Sequence, residues 1–186
     1  MIDLFDKPTT EVAKALLGSY LIHESCEGTT IGKIVETEAY LADDPASHSF
    51  VGKTPRNAMM FGSAGKAYIY LNYGMHNCFN VVTAKEGIGE AVLIRALEPI
   101  KGIKLMQKRR KTEKVTDLCS GPGKLSKAMG ITLKNNGADL INSNLRIILS
   151  DNSNHKIVKT TRVGITKGSK RLLRFYIKDN SFISKK

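Results

Sequence analysis

Long apolar runs are missing from this 186-residue chain. The longest, Ala91 to Ile94 with Ala96 and Leu97 beyond Arg95, falls far short of the roughly 20 residues a membrane-spanning helix needs. Residues 1–7 carry no apolar core of the secretory-signal kind, so the expectation is a soluble, unexported protein with no membrane partner. Cysteine is scarce. Cys26, Cys78 and Cys119 are odd in number and far apart, which argues against a disulfide framework and fits reduced thiols in a cytosol. No metal or redox spacing is present, nor a Walker A loop, a dinucleotide Gly fingerprint, a His-Glu-x-x-His or the paired motifs of a zinc deaminase. Nucleotide hydrolysis, simple oxidoreduction and metal-dependent deamination therefore lack support. Internal repeats and low-complexity linkers are also missing, so one domain over residues 1–186 is expected, large enough to hold a core without staples.

What is present is positive charge, unevenly spread. Residues 1–100 carry 8 Lys and Arg against 12 Asp and Glu, whereas residues 101–186 carry 21 against 5, for a net charge of +12. A half so basic calls for an anionic partner, and nucleic acid is the first candidate because cations that neutralise phosphates release counterions.

Residues 8–18 pattern as a short helix closed by Gly18. Ile31 to Tyr40 is β-branched and reads as a strand, in which alternation puts Glu36, Glu38 and Tyr40 on one face. Residues 41–66 form a long loop of the kind that carries function. Tyr68 to Leu71 and Cys78 to Thr83 read as hairpin arms around a turn at residues 72–75, in which Gly74 supplies the unusual backbone angle. Ala91 to Leu97 is a further strand, and 103–110 and 121–130 are helices, the first with a basic face and the second with Pro122 near its start. Shorter strands are expected at 145–149, 163–166 and 172–177. Hairpins flanked by helices predict an α+β domain built on a curved, largely antiparallel sheet.

The chemistry-bearing residues left after these exclusions are Glu36, Glu38, Tyr40, His48, Tyr70, Asn80 and Arg95. Arg95 interrupts an apolar strand, where a charge is costly unless paired, so a carboxylate or an anionic ligand is expected beside it. The helix start at Ser120-Gly121-Pro122 is a candidate phosphate contact, extended by Lys124 and Lys127.

The blocks Ile34 to Leu41, Ala46 to Ser49, Thr54 to Asn57, Tyr73 to Met75, Arg95 to Pro99, Leu118 to Pro122 and Arg174 to Tyr176 closely resemble the alkyladenine (3-methyladenine) DNA glycosylase family, in order and nearly end to end. The resemblance implies an enzyme that flips damaged purines, chiefly 3-methyladenine and in many members hypoxanthine, out of double-stranded DNA. It then hydrolyses the bond from base to deoxyribose without metal or cofactor. It further implies that Glu38 activates the attacking water and that Arg95 helps hold both. Tyr40 and His48 would lie on one side of the base and Tyr70 on the other, with Asn80 crowding the amino group of normal guanine. Tyr73 would fill the gap left in the duplex, with Met75 beside it. The chain departs from the family pattern at His76, where Tyr is common, and at Asn77. Tyr68 shares a strand face with Tyr70 and is expected in the core. A monomer in a bacterial cytoplasm, at the nucleoid, is the expected setting. The competing readings are a non-catalytic basic nucleic-acid-binding module and a ribosome-associated structural protein, neither of which needs Glu38 beside an aromatic set.

Overall fold

A computed structural model describes residues 2–150 and 155–185. The chain begins with two short helices, α1 (Ile2–Phe5) and α2 (Thr9–Ala15), and enters the hairpin β1 (Tyr20–Ser25) and β2 (Gly28–Tyr40). The long loop that follows is organised by 3-10 turns at His48–Val51 and Ala58–Phe61. A second hairpin, β3 (Ala67–Asn72) and β4 (His76–Val82), leads to β5 (Ala91–Lys101). Three helices come next, α3 (Ile103–Arg110), α4 (Val115–Leu118) and α5 (Pro122–Met129), then β6 (Leu145–Ile148), β7 (Ile157–Thr160) and β8 (Arg174–Ile177).

The strands form one curled antiparallel sheet in the order β3-β4-β5-β2-β1-β6, with β8 joining β2 and β7 joining β8. The α+β expectation is met. Strand β2 organises the sheet because one of its edges is shared between two partners: β1 pairs with residues 28–33 and β8 with residues 36–38. Its other edge follows β5 from Ile31 to Tyr40 with three slips, one that leaves Ile100 outside the ladder and two compensating ones that leave out Val35 and Arg95. A residue left over in this way is re-aimed by the local kink. Alternation then sorts β2: Thr37 and Ala39 face α2, where the Thr37 hydroxyl donates to Ala13 O at 2.8 Å, while Glu36, Glu38 and Tyr40 face the other way.

Three sequence expectations change. No strand forms at residues 163–166, because the Val163 amide is taken by a side chain, Glu38, and not by a neighbouring strand. Strand β5 continues past Leu97 to Lys101, and the return arm of the second hairpin begins at His76. Strands β1 and β7 were not anticipated. β7 is exposed at alternate residues and holds only through β8.

The charge asymmetry between the halves also has an internal use. Arg109, Arg146, Arg162, Arg171 and Arg174 pair with Glu27, Glu24, Asp44, Asp43 and Glu36, so five arginines of the basic half tie it to five acids of the other.

Close approach of β2 to β5 depends on Gly32, where a Cβ would lie 2.9 Å from both Cβ and Cδ1 of Leu97. Gly32→Ala is expected to cost about 1–3 kcal/mol of stability, as overpacking does, read as a lower denaturant midpoint with an unchanged slope. An unmoved midpoint would mean that the strands separate freely at this point.

Candidate active site

Among the described residues the buried charges are Glu36, Glu38, Asp44, Arg95, Arg162 and Arg174, three of each sign. Charges removed from water survive only when paired and hydrogen-bonded. Here β2 supplies two carboxylates and its neighbours supply the cations. Arg95, turned inward at the β5 irregularity, places Nη1 3.3 Å from Glu38 Oε2 and Nε 3.3 Å from Glu36 Oε1. From the opposite edge Arg174 donates to Glu36 Oε1 at 2.7 Å. Glu38 also accepts the Tyr40 hydroxyl on Oε2 at 2.9 Å and the Val163 amide on Oε1 at 2.8 Å. The pairing expected for Arg95 is thus present twice over.

Of these groups Arg95, Tyr40 and Val163 line a cavity of about 200 Å³. Tyr40, His48, Tyr70, Asn80 and Arg95 all line it, and so do Tyr68, Met60 and the 163–165 segment. Glu38 lies one layer beneath, fully buried, behind Tyr40, Arg95 and Val163. Each wall is fixed from behind. The Arg162 guanidinium lies over the Tyr40 ring at 4.6 Å, bonds Ala39 O, and is itself held by Asp44. Asn80 gives its amide hydrogens to Tyr68 O at 3.0 Å and Cys78 O at 3.2 Å, which locks its plane. His48 meets Tyr70 edge-on at 4.4 Å and shares a hydrogen bond with the Tyr68 hydroxyl at 2.9 Å, so its ring contacts the tyrosine that the resemblance sets across from it.

Burial keeps the phenols protonated. It raises the Tyr40 hydroxyl well above its ordinary range, with the Glu38 carboxylate adding to the effect, and pushes Tyr68 up to about 12. Tyr40 is therefore a hydrogen-bond donor to Glu38 across the working pH range.

At the rim, the β3–β4 turn has positive φ at both Tyr73 (49°) and Gly74 (69°) and is closed by Met75 N–H to Asn72 O at 3.2 Å. Tyr73 stands 88 % exposed and Met75 71 %. Helix α5 packs against this hairpin without a side chain in the way, because a Cβ on Gly123 would lie 3.0 Å from that of His76. A groove between them, about 750 Å³ in volume, is lined by Arg110, Lys124 and Lys127 together with Tyr73 and Met75. Lys124 is already engaged by Asp117, and so is Arg110 at 3.6 Å. Lys127, by contrast, has no ion pair among the described residues.

Sequence reasoning missed Arg162, Asp44 and the cavity role of Tyr68. Arg162 and Asp44 lie 118 residues apart among other charged residues, and no periodicity separates a buried charge from a solvated one there. Tyr68 is both core and wall: its ring is buried and its hydroxyl reaches His48.

The His48 ring lies below its usual 6.5, first because it is buried and second because the Arg56 guanidinium is near. Its neutral form therefore predominates at pH 6.5 and above. As pH falls through 6.5 the unfolded chain takes the proton first, so the folded state loses stability. NMR titration is expected to give a His48 midpoint below 6.5, and Arg56→Gln should raise it only part of the way, since burial is the larger cause. A midpoint at or above 6.5 in the parent would contradict this.

Comparison with known proteins identifies the family of the chain. The family model for methylpurine-DNA glycosylase (MPG) matches residues 3–181. A protein of Francisella tularensis subsp. tularensis is 54% identical over 182 residues, covering 96% of this chain and 94% of its own. One from Methanoculleus marisnigri is 52% identical over 186 residues (98% and 96%), and one from Carboxydothermus hydrogenoformans 50% over 177 (94% and 93%). All three carry the provisional name 3-methyladenine DNA glycosylase. With the match spanning every strand of the sheet and every residue lining the cavity, the chain belongs to the methylpurine-DNA glycosylase family of DNA repair enzymes.

Proposed function

We propose that this protein, acting as a monomer, flips an alkylated purine nucleotide out of duplex DNA into the cavity above Glu38 and hydrolyses its N-glycosidic bond with a water that Glu38 activates. The observation that carries the reading is the hydrogen bonding of Glu38. A carboxylate has about four acceptor sites, and three are filled: Tyr40 and Arg95 on Oε2, Val163 on Oε1. The site left on Oε1 has no protein partner among the described residues, and an attacking water would reach it past Tyr40, Arg95 and Val163, which separate Glu38 from the cavity. A fixed negative charge there also favours the cationic, oxocarbenium-like transition state formed as the base departs.

The walls suit the substrate. Methylated purines are electron-poor and often cationic, and the rings of Tyr40, His48 and Tyr70 offer π faces and edges to them. Asn80, with its amide locked, is a rigid wall against the exocyclic amino group of guanine, so normal bases are refused by crowding. Hypoxanthine, which lacks that group, fits the same logic. Tyr73 is placed to fill the vacated stack with Met75 beside it, while Lys127 and the start of α5 face the backbone. Lys124 contributes to phosphate binding only by exchanging Asp117 for it.

Duplexes that each carry one lesion, incubated with protein in the presence of a chelator, are expected to yield free base and abasic sites. Duplex binding without release would leave a non-catalytic binding module. Glu38→Gln should slow single-turnover release by roughly 10²- to 10⁴-fold while lesion binding persists, because the amide keeps the shape but cannot take a proton from water. Tyr73→Ala should slow release from a well-paired lesion more than from the same lesion mispaired, which has already lost part of its pairing energy. Equal losses on the two duplexes would assign Tyr73 to the pocket or the fold.

A further inference from the structure

The face of the Glu36–Arg95 pair that the sheet does not cover is closed by residues 180–185, and one side chain there has contacts that packing alone does not require. Ser184 donates its backbone N–H to Glu36 Oε2 at 2.6 Å and its hydroxyl to Glu36 Oε1 at 2.9 Å. The same hydroxyl oxygen accepts from Arg95 Nε at 3.4 Å and Nη2 at 3.3 Å. A hydroxyl has one proton and two lone pairs, and all three are used. The segment itself is anchored: Asn180 donates to Glu98 at 3.1 Å and accepts the Phe182 amide at 2.9 Å, Phe182 and Ile183 pack on the core, and the Lys185 carbonyl accepts from Arg174.

Arg95 has two carboxylates within reach and one guanidinium to divide between them. Its Nη1 serves Glu38, and its Nε and Nη2 are the atoms that Ser184 engages. Without that hydroxyl, Nη2 has no other protein acceptor among the described residues, and the guanidinium is free to rotate further onto Glu36, away from Glu38.

We infer that Ser184 is a positioning residue for base excision: by occupying Nε and Nη2 of Arg95 it holds Nη1 on Glu38. This rests on the reading of Glu38 as the base. It makes the rate of the chemical step depend on a serine that does not line the cavity and lies 146 residues from Glu38 in the chain.

The test is single-turnover base release by the full chain on a 3-methyladenine-type duplex, together with lesion-duplex affinity. Ser184→Ala is expected to slow release about tenfold, the size of one hydrogen bond to a charged group, with affinity unchanged. Ser184→Thr, which keeps the hydroxyl, should stay near the parent rate. In an Arg95→Gln background Ser184→Ala should cost nothing further, since the group it acts through is gone. If Ser184→Ala fails to fold, Ser184→Cys, similar in volume and a poor hydrogen-bond partner, carries the same expectations. A parent rate in the Ala or Cys variant, a proportional loss of affinity, or an undiminished loss in the Arg95→Gln background would overturn the inference. A parent that releases no base would instead overturn the reading beneath it.

Discussion

Glu38 is fully buried, and much of the surrounding architecture follows from making a carboxylate tolerable there. An ionised carboxylate alone in a protein interior is several kcal/mol unfavourable and would take up a proton instead. Here it shares Arg95 with Glu36, and Glu36 in turn requires Arg174. Each added charge recruits a different part of the chain: the β5 irregularity brings Arg95, β8 brings Arg174, and the 161–165 segment brings the Val163 amide. The fork in β2 is what allows this, since β8 can reach residues 36–38 only because β1 has ended its pairing at Lys33.

The cavity above this network is rigid for the same reason. Its aromatic walls are fixed through their polar ends or their outer faces, by Glu38 and Arg162 for Tyr40 and by Tyr68 for His48. A polar network partnered at nearly every atom supplies stiffness to these walls, Arg162 Nε being its one buried atom left without a hydrogen bond among the described residues.

How much of this was legible in the sequence depended on whether a side chain's fate is set locally. The shared face of Glu36, Glu38 and Tyr40 followed from strand alternation, and the need of Arg95 for a partner followed from the apolar run around it. The family blocks supplied the order of the rest. Arg162 gave no such signal, because it sits in a stretch crowded with lysines and arginines where most cations are solvated. The same stretch misleads in another way. Its excess charge invites a polyanion, yet several of its arginines are satisfied by acids of the first half, and it is chiefly the lysines that remain for a phosphate backbone. Asp43 and Asp44 make the point at one residue's distance: the first meets Arg171 at the surface and the second is buried with Arg162.

The turn at residues 72–75 holds an aromatic residue in a backbone conformation that glycine and asparagine adopt readily and tyrosine does not. A β-hairpin selected for stability alone would carry Asn or Gly at position 73 and gain about 1 kcal/mol from relief of the left-handed strain. The protein forgoes that stability to keep a large ring projecting into solvent, a trade of the kind made where activity, not folding, decides the residue. Stabilising substitutions chosen by backbone preference would therefore strike first at this exposed ring, the one proposed to enter the duplex.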